Sequence, residues 1–241
     1  MRQWWNQLRN ARKPWVVAVA VGFSMGFSVG GVQAAANLAA MSPAKDPVIA
    51  PIDLKQMPQE LINQVTRQVI EAFKARPASL SKDEVKRYNK TVVEKTIAPV
   101  VDFEVIAKRV MAASYKTASE SQRTVFTALF RESLLSTYTD GMSAYSNQKV
   151  ELDPFAGVQQ QGGRERAVVS MKVYGADGKI YPAMYSLYKN DAVEWKLENL
   201  TLNGVNIGLT FRNQFSEILK QQKGSIDGVI ANWNATAAGF E

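Results

Sequence analysis

The 241-residue chain contains neither cysteine nor histidine. Without cysteine there is no disulfide framework, no thiolate nucleophile and no thiolate metal ligand. Without histidine the Ser-His-Asp and Cys-His arrangements are excluded, as is every His-containing zinc site. No GxxxxGK[ST] or comparable phosphate loop occurs, so neither a nucleotide site nor a metal site is expected. Carboxylates, lysine, tyrosine and serine are left as the only groups able to do chemistry. The apolar content, 46%, is that of a globular core and excludes a disordered chain.

Acidic residues are absent from one stretch, the first 34 positions. There Arg2, Arg9, Arg12 and Lys13 precede an apolar run from Trp15 to Val29, which ends at Val32-Gln33-Ala34. Small residues at the last and third-last positions suit a signal peptidase, and the run is short and rich in Gly and Ser for a membrane span. Residues 1–34 are therefore read as a cleaved signal peptide, which places the mature chain outside the inner membrane. Removing its four basic residues from the chain's 29 leaves 25 against 22 acidic, a net of +3 in place of +7. Nucleic-acid binding thereby loses its main support. Residues 35–57, with Pro43, Pro47 and Pro51, read as an extended arm, and 58–241 as the folded domain.

Helical periodicity opens that domain. Pro58 suits a first helical position, followed by Leu61, Val65, Val69 and Phe73 at four-residue intervals. Ser81 and Glu84 form a capping box for a second helix carrying Val85, Tyr88 and Val92, closed by Pro99. Asp102 can cap a third through Met111. Ser119 and Gln122 begin the longest, with Phe126, Phe130, Leu134, Tyr138, Met142 and Tyr145 along one stripe. After Gln148 the pattern alternates with period two: Val150 and Leu152; then Ala167, Val169, Met171 and Val173; then Tyr181, Ala183, Tyr185 and Leu187; then Val193 to Leu202. Asp177-Gly178 and Asn190-Asp191 supply turns. The class is α+β, with a twisted four-stranded antiparallel sheet and helices before and after it.

The stretch from Trp195 to Phe215 ties these parts together. Trp195 and Leu197 share one parity and Leu200 and Leu202 the other, so a bulge is expected near Asn199. Asn203-Gly204 then turns the chain into a helix marked by Phe211, Phe215, Ile218 and Leu219. A final helix carries Ile226, Val229, Ile230 and Trp233.

Taken with Gly204-Val205-Asn206-Ile207 and the Phe211-Arg212-Asn213-Gln214-Phe215 run, this stretch resembles the MlaC family, periplasmic toluene-tolerance proteins of outer-membrane lipid maintenance. Asp102-Phe103 with Ala107, Gln122-Arg123 with Phe126 and Phe130, and Thr137-Tyr138 before Tyr145 resemble it in the same order, from about Pro58 to Trp233. Asn206 departs from the pattern, standing where Ser is commoner. The resemblance implies a cone of helices and sheet enclosing an apolar cavity for phospholipid tails, with the head group near solvent. It implies no cofactor and no catalysis, and a shuttle between an outer-membrane lipoprotein-porin complex and an inner-membrane ABC transporter with its periplasmic substrate-binding subunit. On that view Phe126, Phe130, Leu134, Tyr138, Val169, Met171, Tyr185, Trp195, Leu197, Ile207 and Phe211 line the cavity, and Arg212 meets the lipid phosphate. The alternative for each of the eleven is ordinary core, and for Arg212 a surface ion pair.

A carrier answers a physical need. A diacyl lipid exposes roughly thirty methylenes at about 0.8 kcal/mol each, a penalty near 24 kcal/mol for crossing water unaided. Two other readings compete: an enzyme of the nuclear-transport-factor-like type, using a pocket carboxylate such as Asp102 or Glu194 with a raised pKa, and a periplasmic chaperone or adaptor.

Overall fold

The computed structural model describes residues 46–143, 149–175 and 178–238, with the side chains of 140–143 and 234–238 outside the description. The signal peptide, the first part of the arm, Tyr145 and Asp177 therefore lie outside the described residues, as does the side chain of Met142. Five helices come first: α1 Pro58–Lys74, α2 Lys82–Thr96, α3 Phe103–Met111, α4 Ser114–Thr117 and α5 Glu120–Ser143. Six strands follow, β1 Val150–Leu152, β2 Gln159–Gln161, β3 Arg164–Tyr174, β4 Ile180–Lys189, β5 Trp195–Leu202 and β6 Val205–Asn206, and then α6 Ile207–Gln221 and α7 Ile226–Ala238.

Local chemistry sets the helix starts. The Ser81 hydroxyl accepts from the Glu84 N–H while the Glu84 carboxylate accepts from the Ser81 N–H, and Ser119 and Gln122 repeat the exchange for α5. Asp102 accepts from the Val105 N–H at 2.9 Å. Asn206 does for α6 what serine would, accepting from the Leu209 N–H at 2.9 Å.

The six strands pair antiparallel in the order β1-β3-β4-β5-β6, with β2 also on β3, and an isolated parallel bridge joins Val101 to Leu197. The four-strand expectation is thus corrected to six. β2 is three exposed glutamines and β6 only two residues, so neither carries the apolar alternation by which a strand is recognised. The bulge lies where parity slips: Leu187 pairs Leu197 and Ser186 pairs Asn199, leaving Glu198 as the extra residue. The far edge of β5 is covered. The Trp195 N–H donates to Leu54 of the arm at 2.8 Å, the Leu197 N–H to Val100 at 2.8 Å, and the Asp102 N–H to the Leu197 carbonyl at 3.0 Å. From Asp46 to Met57 the arm forms neither helix nor strand and turns at Leu54-Lys55, and its Ile52 and Leu54 pack on the sheet side.

The buried apolar residues fall into separate groups. One is helical, joining α3, α5, α6 and α7 through Phe103, Val110, Phe126, Phe130, Phe215 and Trp233. A second lies between α1 and the sheet, with Leu61, Ile62, Ala167, Val169, Met171, Leu187 and Trp195. A third, smaller group joins α1 and α2 through Val69, Phe73, Tyr88 and Val92. Leu197 packs partly against the first two, bridging them from the strand that carries the bulge.

Candidate functional site

Cross-strand register places the inward side chains in rows. Val169, Tyr185 and Leu200 form one; Leu152, Met171, Ala183 and Leu202 form the next. Burial along these rows is uneven. Val169, Met171 and Ala183 are closed over, whereas Tyr185 and Leu200 beside them keep accessible surface. The long stripe of α5 changes in the same way. Phe126 and Phe130 are sealed, but one and two turns further on Leu134 and Tyr138 are only partly buried, although their neighbours Leu135 and Thr139 are sealed.

The eleven expected lining residues therefore divide. Phe126, Phe130, Val169, Met171 and Trp195 sit inside the packed walls. Leu134, Tyr138, Tyr185, Leu197, Ile207 and Phe211 keep surface, and they come from both sides: Leu134, Tyr138 and Phe211 from the helical group, Tyr185 and Ile207 from the sheet group, Leu197 from both. Leu200 belongs with them and went unassigned, although its parity after the bulge points the same way as Tyr185.

Tyr138 and Tyr185 carry the polar atoms of this region. Burial pushes both phenols above their ordinary pKa, and for Tyr185 the nearness of Tyr138 adds to it. Neither ring is fully covered. Among the described residues the Tyr185 hydroxyl finds the Met171 thioether alone, at 3.7 Å. Among the described residues Tyr138 has no hydrogen-bond partner.

Behind the bulge lies a cluster that sequence reasoning missed. Glu198 is only 7% exposed at its side chain, and it accepts from Arg109 of α3 at 2.6 Å and from Arg166 of β3. Arg109 also donates to the Glu198 carbonyl at 3.3 Å. Next to it the Tyr188 hydroxyl donates to Asp102, the cap of α3. Burial, with that hydrogen bond second, raises the Tyr188 pKa. These contacts fasten α3 to the sheet. The only signal in sequence was the parity slip, which turns an apparent strand-face glutamate into a bulge residue.

The remaining candidates are placed plainly. Arg212 is exposed, and among the described residues it has no ion-pair partner within 4 Å. Glu194 hydrogen-bonds Lys196, which holds its carboxyl below the usual range, opposite to what a proton-shuttling base requires. Asn199 accepts from the Gly208 N–H at 3.1 Å, and a Cβ at Gly208 would fall 2.7 Å from the Asn199 Oδ1, so a larger residue would have to push that amide aside. This pins the start of α6, and with it Ile207 and Phe211, to β5. Among the described residues no group of carboxylates is arranged to hold a metal, and no helix is long and apolar enough to cross a membrane.

Comparison with known proteins fits this architecture. The sequence model of the MlaC protein family matches residues 63–235. A toluene tolerance protein, ttg2D, of Pseudomonas putida is 31% identical over 184 residues, 76% of this chain and 82% of that protein. The intermembrane phospholipid transport system binding protein MlaC of Haemophilus influenzae is 24% identical over 183 residues, 75% of this chain and 82% of that protein. Among solved structures, a phospholipid-binding protein from Ralstonia solanacearum, determined in complex with a phospholipid, superposes with a TM-score of 0.63 at 20% identity. The match covers 75% of this chain and 96% of that one, and it shows a shared fold.

Proposed function

This chain belongs to the MlaC family, and on that premise we propose that it is a periplasmic phospholipid carrier that does no chemistry on its cargo. The observation that carries the reading is that each of two separately packed groups has half-open apolar side chains. Leu134, Tyr138 and Phe211 on one side, and Tyr185, Leu200 and Ile207 on the other, would be sealed if the interior were one continuous core. A space lined in this way exchanges one hydrocarbon surrounding for another when tails move in from a bilayer, so loading and unloading are both thermodynamically accessible. The names of the relatives support the same cargo: a phospholipid transport binding protein among the sequences, a phospholipid-bound protein among the folds.

The finer role is a shuttle between an outer-membrane lipoprotein-porin complex and an inner-membrane ABC transporter with its substrate-binding subunit, maintaining outer-membrane lipid asymmetry. Direction then comes from donor and acceptor, since the carrier itself is close to neutral toward its cargo. The enzyme alternative finds little support: Asp102 caps α3 and is hydrogen-bonded by Tyr188, and Glu194 is held ionised by Lys196. Native mass spectrometry of the protein purified from the periplasm of an expressing cell tests the reading. Co-purified phospholipid is the expected result. A folded, monodisperse sample that carries none and takes none from vesicles would overturn it.

A further inference from the structure

Two phenol hydroxyls in an otherwise apolar recess need an explanation that hydrocarbon tails do not provide. Tyr185 stands between Val169 and Leu200 in its row, with Met171 and Leu202 in the next, and among the described residues its hydroxyl has the Met171 thioether as its one hydrogen-bond partner. Tyr138 follows Leu134 by one helical turn, and among the described residues nothing accepts its proton. Neither hydroxyl has an oxygen or nitrogen acceptor among the described residues, and phenylalanine would fill either place as well.

Resting on the carrier reading, we infer that Tyr138 and Tyr185 form a subsite for the ester carbonyls of a diacyl lipid, each phenol donating to a carbonyl oxygen at the level where tails join glycerol. The partly open positions of both rings are where such an oxygen can reach them. A phenol is protonated, hence able to donate, throughout the physiological range. The subsite reads the linkage of the cargo and leaves the head group unread, which suits a carrier of mixed phospholipids. It also sets depth, because tails anchored at their ester ends come to rest at one level.

The test uses competition. The purified full-length mature protein is incubated with vesicles holding equal amounts of a diester phospholipid and its diether counterpart, matched in head group and chain length, and native mass spectrometry reads the bound ratio. An ether lacks the carbonyl but keeps the hydrocarbon. The wild-type protein is expected to favour the diester by about fivefold or more, the worth of one net hydrogen bond. Tyr138→Phe with Tyr185→Phe should bring the ratio close to one while diether uptake is retained, and each single change should give an intermediate value. A wild-type ratio near one overturns the subsite but not the carrier, whatever the variants do. An unchanged preference in the double variant likewise overturns it, and wild-type protein that takes up neither lipid overturns both.

Discussion

Replacing Phe126 by alanine should remove a keystone of the helical wall. Its side chain has no accessible surface, and its ring meets Phe215 and Trp233 edge-on, with centroids 5.1 and 5.0 Å apart, and Phe130 at 6.2 Å. Losing a sealed phenyl group costs the transfer of its atoms plus the void left behind, about 3–5 kcal/mol, and with three ring neighbours unable to collapse fully the figure should be ~4 kcal/mol. That is close to a thousandfold in the folding equilibrium, at 1.36 kcal/mol per tenfold. Phe211→Ala is the internal control. Phe211 meets Phe130 edge-on at 5.3 Å but keeps accessible surface, so its loss should cost only ~2 kcal/mol. Urea unfolding is a suitable assay, because Trp195 lies in the sheet group and Trp233 in the helical group, and fluorescence of versions keeping one or the other reports the two halves. A loss below about 1 kcal/mol for Phe126→Ala, or equal losses at both positions, would refute the distinction between sealed wall and open lining.

Three further outcomes follow from the geometry. Gly208→Ala should destabilise, because the added methyl meets the Asn199 amide at 2.7 Å, and Asn199→Ala in the same chain should recover part of the loss; thermal melting of the two single variants and the double checks this. Glu198→Gln should cost ~2–3 kcal/mol in urea unfolding, less than for a wholly buried pair because both arginines keep some exposure, whereas Arg212→Gln should change stability by less than about 0.5 kcal/mol. Stability should fall above pH ~10: the unfolded chain ionises its tyrosines there while Tyr138, Tyr185 and Tyr188 stay neutral in the fold, so the unfolded state binds fewer protons, and Tyr185→Phe should flatten the decline measured by urea unfolding at pH 9–11.

Legibility in sequence followed the range of the forces involved. Helix starts at Ser81, Asp102 and Ser119 were readable because a cap involves residues three apart. The β5 bulge was readable as well, since a one-residue insertion reverses the parity of every apolar side chain after it, and Leu200 against Leu197 records that reversal. What differs between Phe130 and Leu134 has no local sign. They occupy one stripe of one helix, and Phe130 is sealed because the rings of Phe126, Phe211 and Trp233 close around it. The same holds for Val169 and Tyr185, cross-strand partners with unequal cover. Glu198 was hidden for another reason: its two arginines lie 89 and 32 residues away, and nothing in the alternation of β5 announces them. The short α4, the all-glutamine β2 and the two-residue β6 are held by tertiary contacts and carry no period of their own.

The division of the apolar interior has a mechanical corollary. A protein with one continuous core cannot widen without repacking its jigsaw, and close-packed interiors resist that strongly. Here two tightly fitted masses meet at Leu197, which packs against both, so on the carrier reading a change in their spacing need not disturb the fit within either. Stiffness and give then reside in different atoms, and evolution can adjust one without disturbing the other.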